Sequence, residues 1–227
     1  MTAGQGFLPS AHGFHFGTRF AGVDVPLVRK LGWTLHDRGV GLCGGMTFAA
    51  LDLFARGATP PQLTAPPRDG PWFDYLLRRQ WDSTLVPATL LKFLAGMNPA
   101  WARAGREWSR VRAELDAGSL CPLGLVRVTS WNVADLGENH IVLAYGYAIA
   151  DATVDLRVYD PAHPDDDHVV LRFEPGARRG SLQYLSPTRE RVVGFFRLPY
   201  AAPSPAVWNA IRPEAFHRGQ RGKARSL

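Results

Sequence analysis

The chain has 227 residues and a mass of 25.0 kDa, and 46% of its residues are hydrophobic while 20% are charged. This balance is typical of a folded domain with a substantial core and excludes disorder throughout. Two cysteines are too few for a disulfide scaffold or for a structural zinc site built on thiolates, so packing must hold the fold together.

The formal charge of +6 is concentrated at the C-terminus. Four basic side chains lie within the last ten residues: Arg218, Arg221, Lys223 and Arg225. No nucleic-acid-binding motif accompanies them, so we predict one domain over residues 1–212 and a flexible basic tail over 213–227, with neither nucleic acid nor a membrane as a partner. The first residues contain no apolar run of the length of a signal peptide or membrane span, which predicts a cytoplasmic protein.

The first half of the chain predicts helices. An apolar stripe with helical spacing accompanies a helix that begins at Cys43, and Gly57 marks its end. The stripe consists of Leu42, Met46, Ala49, Ala50, Leu53 and Phe54. Further helices are predicted over 72–81, 87–95 and 106–117, with a Pro-rich loop over 59–71 between the first two helices.

The second half predicts strands. Apolar or alternating segments occur over 122–128, 140–149, 154–158, 168–173 and 192–198. Because short turns join these strands, the sheet should be antiparallel and strongly bent. We therefore predict an α+β fold in which the Cys43 helix packs against this sheet.

Cys43 stands in the segment Gly-Leu-Cys-Gly-Gly-Met and opens its helix. Free N–H groups and the positive end of the helix dipole stabilise a thiolate at this position, which makes the thiol nucleophilic. The flanking glycines allow another backbone or a ligand to come close. The alternative interpretation is a small packing residue at a tight helix start.

His140 opens the strongest predicted strand and is the candidate base for this thiol. A hairpin turn near 150–152 makes paired residue numbers sum to about 302, so His140 and Asp160 should lie within one pair of each other. Asp160 shares the parity of Val154 and Val158, and we expect it to face the side of the sheet that the Cys43 helix covers. A carboxylate there would orient the imidazole and favour its cation. The alternative is a structural histidine at a strand edge.

This order of cysteine, histidine and aspartate resembles the papain-like cysteine peptidase superfamily. The strand over 140–147 is similar to the one that carries the catalytic histidine there, and Tyr159-Asp160-Pro161 resembles the Asp-Pro of the C39-like branch. The resemblance covers most of residues 33–198. It implies a papain-like fold with Cys43 as the nucleophile, His140 as the general base and Asp160 as the residue that orients the imidazole.

The resemblance further implies a hydrolase that cleaves a peptide or amide substrate through a thioester, without cofactor or metal. Papain-like enzymes usually place a glutamine shortly before the cysteine to complete the oxyanion hole, but no Gln or Asn lies between Gly6 and Cys43. The side chains of Thr34 or His36, or backbone N–H groups over 41–44, are alternative donors. Two other functions stay open: a transglutaminase-like acyl transferase, and a catalytically silent papain-like binding domain.

Three other features could carry chemistry. An acid-rich cluster could bind a cation, but prolines within it favour a solvated loop, and we predict no metal site. The cluster consists of Asp160, His163, Asp165, Asp166, Asp167 and His168. Cys121 precedes Pro122 and is either a buried inert thiol or a disulfide partner of Cys43. Trp131 is a candidate wall of a substrate cleft.

Overall fold

The computed structural model describes residues 2–4, 6–20, 40–84, 86–97, 104–177 and 181–211. The predicted basic tail over 213–227 lies outside the described residues, as do Thr34 and His36. The described chain is a mixed structure of helices and a curled antiparallel half-barrel sheet, which confirms the α+β expectation at this level.

Four substantial helices occupy the described part of the first half, as the sequence predicts. After the short α1 (Pro9–His12), they are α2 (Cys43–Phe54), α3 (Gly70–Thr84), α4 (Pro87–Gly96) and α5 (Ala104–Asp116), and the short α6 (Pro205–Asn209) follows the sheet. Gly57 and Gly118, just beyond α2 and α5, have φ values of 64° and 86°, in the left-handed region that glycine adopts at helix ends. In the described residues no helix has both the length and the apolarity needed to cross a membrane.

The main sheet is antiparallel at every pairing in the described chain and runs in the order β8-β7-β6-β5-β4-β9, with β1 also paired to β5. Its strands are β1 (Thr2–Gly4), β4 (Cys121–Val126), β5 (His140–Ala150), β6 (Thr153–Tyr159), β7 (Val170–Phe173), β8 (Gln183–Leu185) and β9 (Gly194–Arg197). β2 (Arg19–Phe20) and β3 (Val40–Gly41) form a separate pair beside α2. The sequence predicts five of these strands and misses the short β1, β2, β3 and β8.

The β5–β6 hairpin has a two-residue turn, because Ala150 pairs with Thr153. A bulge between Ala144 and Gly146 changes the sum of paired residue numbers from 303 near the turn to 302 beyond it. The predicted sum of 302 therefore holds at the end of the hairpin that lies next to His140 and Asp160. His140 therefore lies close to the residue that follows β6.

The expectation that the Cys43 helix covers the face of the sheet with Val154 and Val158 is wrong. α2 packs on the face of β5 that carries Leu143 and Tyr145. Val154 and Val158 belong to the opposite face, where the side chains of α5 pack. Parity shows which residues share a face, but it does not show which helix covers that face. Asp160 lies near Cys43 only through His140, whose ring it contacts at the first residue of β5.

The two glycines after Cys43 allow close contact between α2 and α3. A Cβ atom at Gly45 would lie 2.1 Å from the carbonyl oxygen of Leu76, and one at Gly44 would lie 2.1 Å from the Ser83 Oγ. Any larger side chain at either position would force the helices apart. The neighbour that these glycines admit is therefore helix α3.

A buried ionic network also joins α2 to α3. Asp52 and Arg79 are almost completely inaccessible and form a two-contact ion pair, with Nε–Oδ2 at 2.7 Å and Nη2–Oδ1 at 3.0 Å. The hydroxyl groups of Tyr75 and Tyr200 donate to the same carboxylate at 2.7 and 2.6 Å. Because both charges are satisfied, this network locks α2, α3 and the segment after β9 together.

Candidate functional site

His140 and Asp160 form a direct contact at one end of the β5–β6 hairpin. His140 is the first residue of β5, Asp160 follows the last residue of β6, and their side chains are 6% and 0% exposed. His140 Nε2 lies 2.5 Å from Asp160 Oδ1. The predicted proximity of these two residues is therefore confirmed, whereas their roles in a reaction stay a prediction.

The Asp160 carboxylate has two further donors. The Ala162 N–H donates to Oδ1 at 2.7 Å, and the Tyr184 hydroxyl donates to Oδ2. Burial alone raises the pKa of Asp160, but His140, Tyr184 and the Ala162 N–H together stabilise the anion and lower this pKa to about 2. Asp160 is therefore ionised across the physiological range of pH.

Tyr184 is a residue of this site that the sequence does not predict. This residue lies on the short strand β8, pairs with Leu171 of β7 and is 6% exposed. Its contact with Asp160 spans 24 residues and depends on the curl of the sheet. A three-residue strand gives no periodic signal from which this position could have been inferred.

Cys43 is the first residue of α2 and is half-buried beside His140. The His140 ring and the backbone of Ile141 lie close enough to the thiol to stabilise its anion and lower its pKa. Because Asp160 contacts Nε2 of His140, the other ring nitrogen, Nδ1, is the one left to interact with the sulfur. The structure thus brings the three predicted site residues into one continuous chain of contacts.

The electrostatics of this chain favour an ion pair. Burial raises the pKa of the Cys43 thiol, yet the charge and hydrogen bond of His140 and the contact with Ile141 outweigh burial and lower this pKa overall, against an opposing contribution from Asp160. Burial lowers the pKa of His140, but the negative charges of Asp160 and Cys43 raise it overall. A thiolate beside an imidazolium is the nucleophilic form of such a pair.

The first turn of α2, where Cys43 lies, exposes backbone N–H groups that have no partner within the helix. The Leu42 N–H donates to the Thr18 carbonyl at 3.3 Å, and the Gly45 N–H donates to the Gln80 Oε1 at 2.8 Å. Among the described residues, no acceptor contacts the N–H groups of Cys43 or of the glycine that follows it. The N–H groups of Cys43 and Gly44 are therefore the two donors next to the thiol that are free to bind an anion, as far as the described residues show.

The acid-rich loop after β6 is tied to the N-terminal segment instead of being fully solvated. His15 Nδ1 lies 2.6 Å from Asp165 Oδ1. Ser10 donates to the Asp167 carboxylate from its backbone N–H at 2.9 Å and from its hydroxyl at 2.7 Å. These contacts hold the loop in place next to Asp160.

One group of possible metal ligands occurs in the described part of the chain: Asp160, His163 and Glu190, whose ligand atoms lie within 4.8 Å of one another. Each member already has a polar contact. Asp160 binds His140 and Tyr184, as described above, while His163 Nε2 lies 3.1 Å from the Thr188 hydroxyl and Glu190 lies 2.7 Å from the Arg127 guanidinium. Hydrogen bonds and ion pairs thus account for this group, and we assign no metal to it.

The remaining two candidates, Cys121 and Trp131, are not part of the contacts around His140. Cys121 opens β4, is completely buried, and is a free thiol, so the alternative of a disulfide with Cys43 is wrong. Burial strongly raises the pKa of Cys121, which makes it inert. Trp131 is 79% exposed in the turn before a 3-10 helix (Val133–Glu138). Its role as a cleft wall stays a prediction.

Comparison with known proteins adds no relative. The chain matches no protein-family model, and neither a curated protein nor a solved structure is significantly similar to it. The geometry and electrostatics of the site are therefore the only observations that bear on the function.

Proposed function

We propose that this chain is a cysteine hydrolase with a papain-like α+β fold, and that it cleaves a peptide or amide bond through a thioester. The observation that supports this most strongly is the chain of contacts from Cys43 through His140 to Asp160. A structural thiol at a helix start needs neither a paired imidazole nor a buried carboxylate behind it. Nucleophilic catalysis uses all three groups.

In the proposed reaction, the Cys43 thiolate attacks the substrate carbonyl carbon and the carbonyl electrons move to oxygen. When the tetrahedral intermediate collapses, the C–N bond breaks and the leaving amine takes the proton from His140 Nδ1. Neutral His140 then removes a proton from water, and the resulting hydroxide attacks the thioester. The carboxylic acid leaves, and the thiolate and imidazolium are restored.

The oxyanion of this intermediate needs donors at the start of α2. The N–H groups of Cys43 and Gly44 are the donors we propose, because no Gln or Asn occurs in the chain between Gly6 and Cys43. A single oxyanion-hole donor contributes about 100-fold or more in rate. A slow enzyme is thus compatible with the proposal, and the missing glutamine is the observation that favours the silent binding domain as the second candidate.

The test is trapping of the acyl-enzyme. The purified chain is incubated with a panel of peptide amides and activated esters, and intact-protein mass spectrometry detects an acyl group on Cys43. Cys43→Ala is the control, which we expect to fold with a free energy of unfolding within about 1 kcal/mol of the parent because no large cavity forms. The proposal expects acylation and turnover in the parent and neither in the variant.

Equal turnover by the parent and Cys43→Ala would overturn the assignment of the nucleophile. A parent that binds peptides without ever forming the adduct would favour the silent domain, whereas an adduct resolved faster by added amines than by water would favour the transglutaminase-like transferase. The proposal keeps the cytoplasm as the site of action, since a reactive free thiol persists in a reducing compartment.

A further inference from the structure

The first turn of α2 takes a cap from a different helix. Its N-cap residue, Leu42, has no side-chain acceptor. The third N–H of the helix, that of Gly45, instead donates to the side-chain Oε1 of Gln80 on α3 at 2.8 Å. Gly45 can receive this cap because it has no Cβ, which would meet the backbone of α3 at Leu76. The nucleophile helix is therefore capped by a neutral amide from its neighbour.

We propose that Gln80 caps the first turn of α2 as a neutral amide and thereby satisfies this helix end without a negative charge that would oppose the Cys43 thiolate. This inference rests on the proposed function, in which Cys43 acts as a thiolate. Helix N-termini are usually capped by Ser, Thr, Asp or Asn from their own chain segment. An acidic cap would bind the same positive helix end that stabilises the thiolate. Its negative charge would also repel the thiolate.

Because few charged groups act on the Cys43 thiol, an added charge at Gln80 would change the thiol pKa. The ionisable groups with the largest effect on the thiol are His140 and Asp160, which oppose each other. α3 presents the neutral side chain of Gln80 to the first turn of α2. The acidic residue nearest to Gln80 along α3, Asp82, is paired with Arg79 at 2.8 Å. α3 therefore supplies a hydrogen bond near the thiol with no unpaired anion.

A cap whose neutrality matters to the thiol and a cap that only stabilises the helix predict different results for a carboxylate at position 80. Gln80→Glu keeps an acceptor for the Gly45 N–H and adds a negative charge within one helical turn of the sulfur. We expect this charge to raise the apparent pKa of Cys43 by about one pH unit, which lowers its alkylation rate about tenfold below that pKa. Gln80→Met removes the acceptor without adding charge, so it should lower the melting temperature and leave the thiol pKa near its parent value.

The experiment measures the iodoacetamide rate of Cys43 against pH, by mass spectrometry of its peptide, in the parent and each variant. Gln183→Glu is the matched control, because it adds the same charge on the exposed strand β8 opposite Arg172. We expect no change in the thiol pKa for this control. If Gln80→Glu fails to fold, Gln80→Lys takes its place, and its positive charge should lower the thiol pKa.

An unchanged thiol pKa in folded Gln80→Glu, or in the Lys variant that replaces it, would overturn this inference. An increase in Gln80→Met as large as in Gln80→Glu would also overturn it, because loss of the cap and not charge would then be the cause. If the parent thiol is acidic and Gln80→Glu does not change it, the inference fails and the hydrolase proposal stands. If the parent thiol has the pKa of a free cysteine, both fail.

Discussion

His140 and Asp160 are 20 residues apart in sequence, yet His140 Nε2 and Asp160 Oδ1 lie 2.5 Å apart. The β5–β6 hairpin produces this contact, since His140 opens one strand and Asp160 follows the other. The hairpin register thus positions the carboxylate that holds the imidazole. A change at Asp160 should therefore act on the proposed reaction through His140.

Asp160→Asn is expected to lose part of the activity. The amide oxygen still accepts a hydrogen bond from His140 Nε2, but the negative charge that stabilises the imidazolium is absent. The difference between a charged and a neutral hydrogen bond, on the order of 1 kcal/mol, predicts about fivefold lower kcat/KM. Asp160→Ala, which removes the acceptor, should lose more. Equal kcat/KM values for the two variants would contradict this role.

The acid stability of the fold should depend on the same carboxylate. The pKa of Asp160 is lowered to about 2 in the folded protein, against about 3.9 for an unfolded aspartate. The lowered value means that Asp160 stabilises the fold above the unfolded pKa, and that this contribution, about 2–3 kcal/mol, is lost as the pH falls towards 2. Urea unfolding between pH 5 and pH 2 should show a shallower acid dependence for Asp160→Asn. Parallel curves for parent and variant would contradict the lowered pKa.

Tyr184→Phe removes the hydroxyl donor from the buried Asp160 Oδ2 while the ring still fills its space. We expect a loss of about 1–3 kcal/mol in the free energy of unfolding and a higher pKa for Asp160. Tyr145→Phe is the matched control, because its hydroxyl donates to the Asp167 carbonyl at 3.0 Å, away from the triad. Acid unfolding and alkylation of Cys43 should change in the first variant only. The same change in both would exclude a specific role for Tyr184.

The buried network between α2 and α3 predicts a large difference between two neighbouring arginines. Arg79→Met leaves Asp52 buried without its cation, which should cost about 3–5 kcal/mol. Arg78→Met breaks an exposed ion pair with Asp82 and should cost less than about 1 kcal/mol. Urea unfolding measures both. Similar losses would show that the Asp52 network contributes little.

The sequence predicts the main helices and strands because their apolar periodicity is strong, and it predicts the Asp160 contact because a hairpin turn determines its register. It does not predict which helix covers which face of the sheet, since that depends on packing between distant elements. For the same reason α5, and not α2, covers Val154 and Val158.

The sequence does not predict the contacts of Gln80 and Tyr184 either, because both depend on packing between distant elements. Gln80 is a polar residue on an amphipathic helix, and its contact with Gly45 depends on how closely α2 and α3 pack. Tyr184 depends on the pairing of a three-residue strand. Neither residue belongs to a local motif, because each acts across more than twenty residues of chain.

The most direct test of the central claim is the pH dependence of Cys43 alkylation, with Cys121 of the same molecule as the internal reference. The account predicts an apparent pKa for Cys43 below the value of about 8.5 of a free cysteine, and labelling near pH 7 that is much faster than that of Cys121. His140→Ala should raise the apparent pKa of Cys43 and slow its labelling. Equally slow labelling of the two cysteines in the folded parent, or an unchanged profile in His140→Ala, would contradict the thiolate–imidazolium pair.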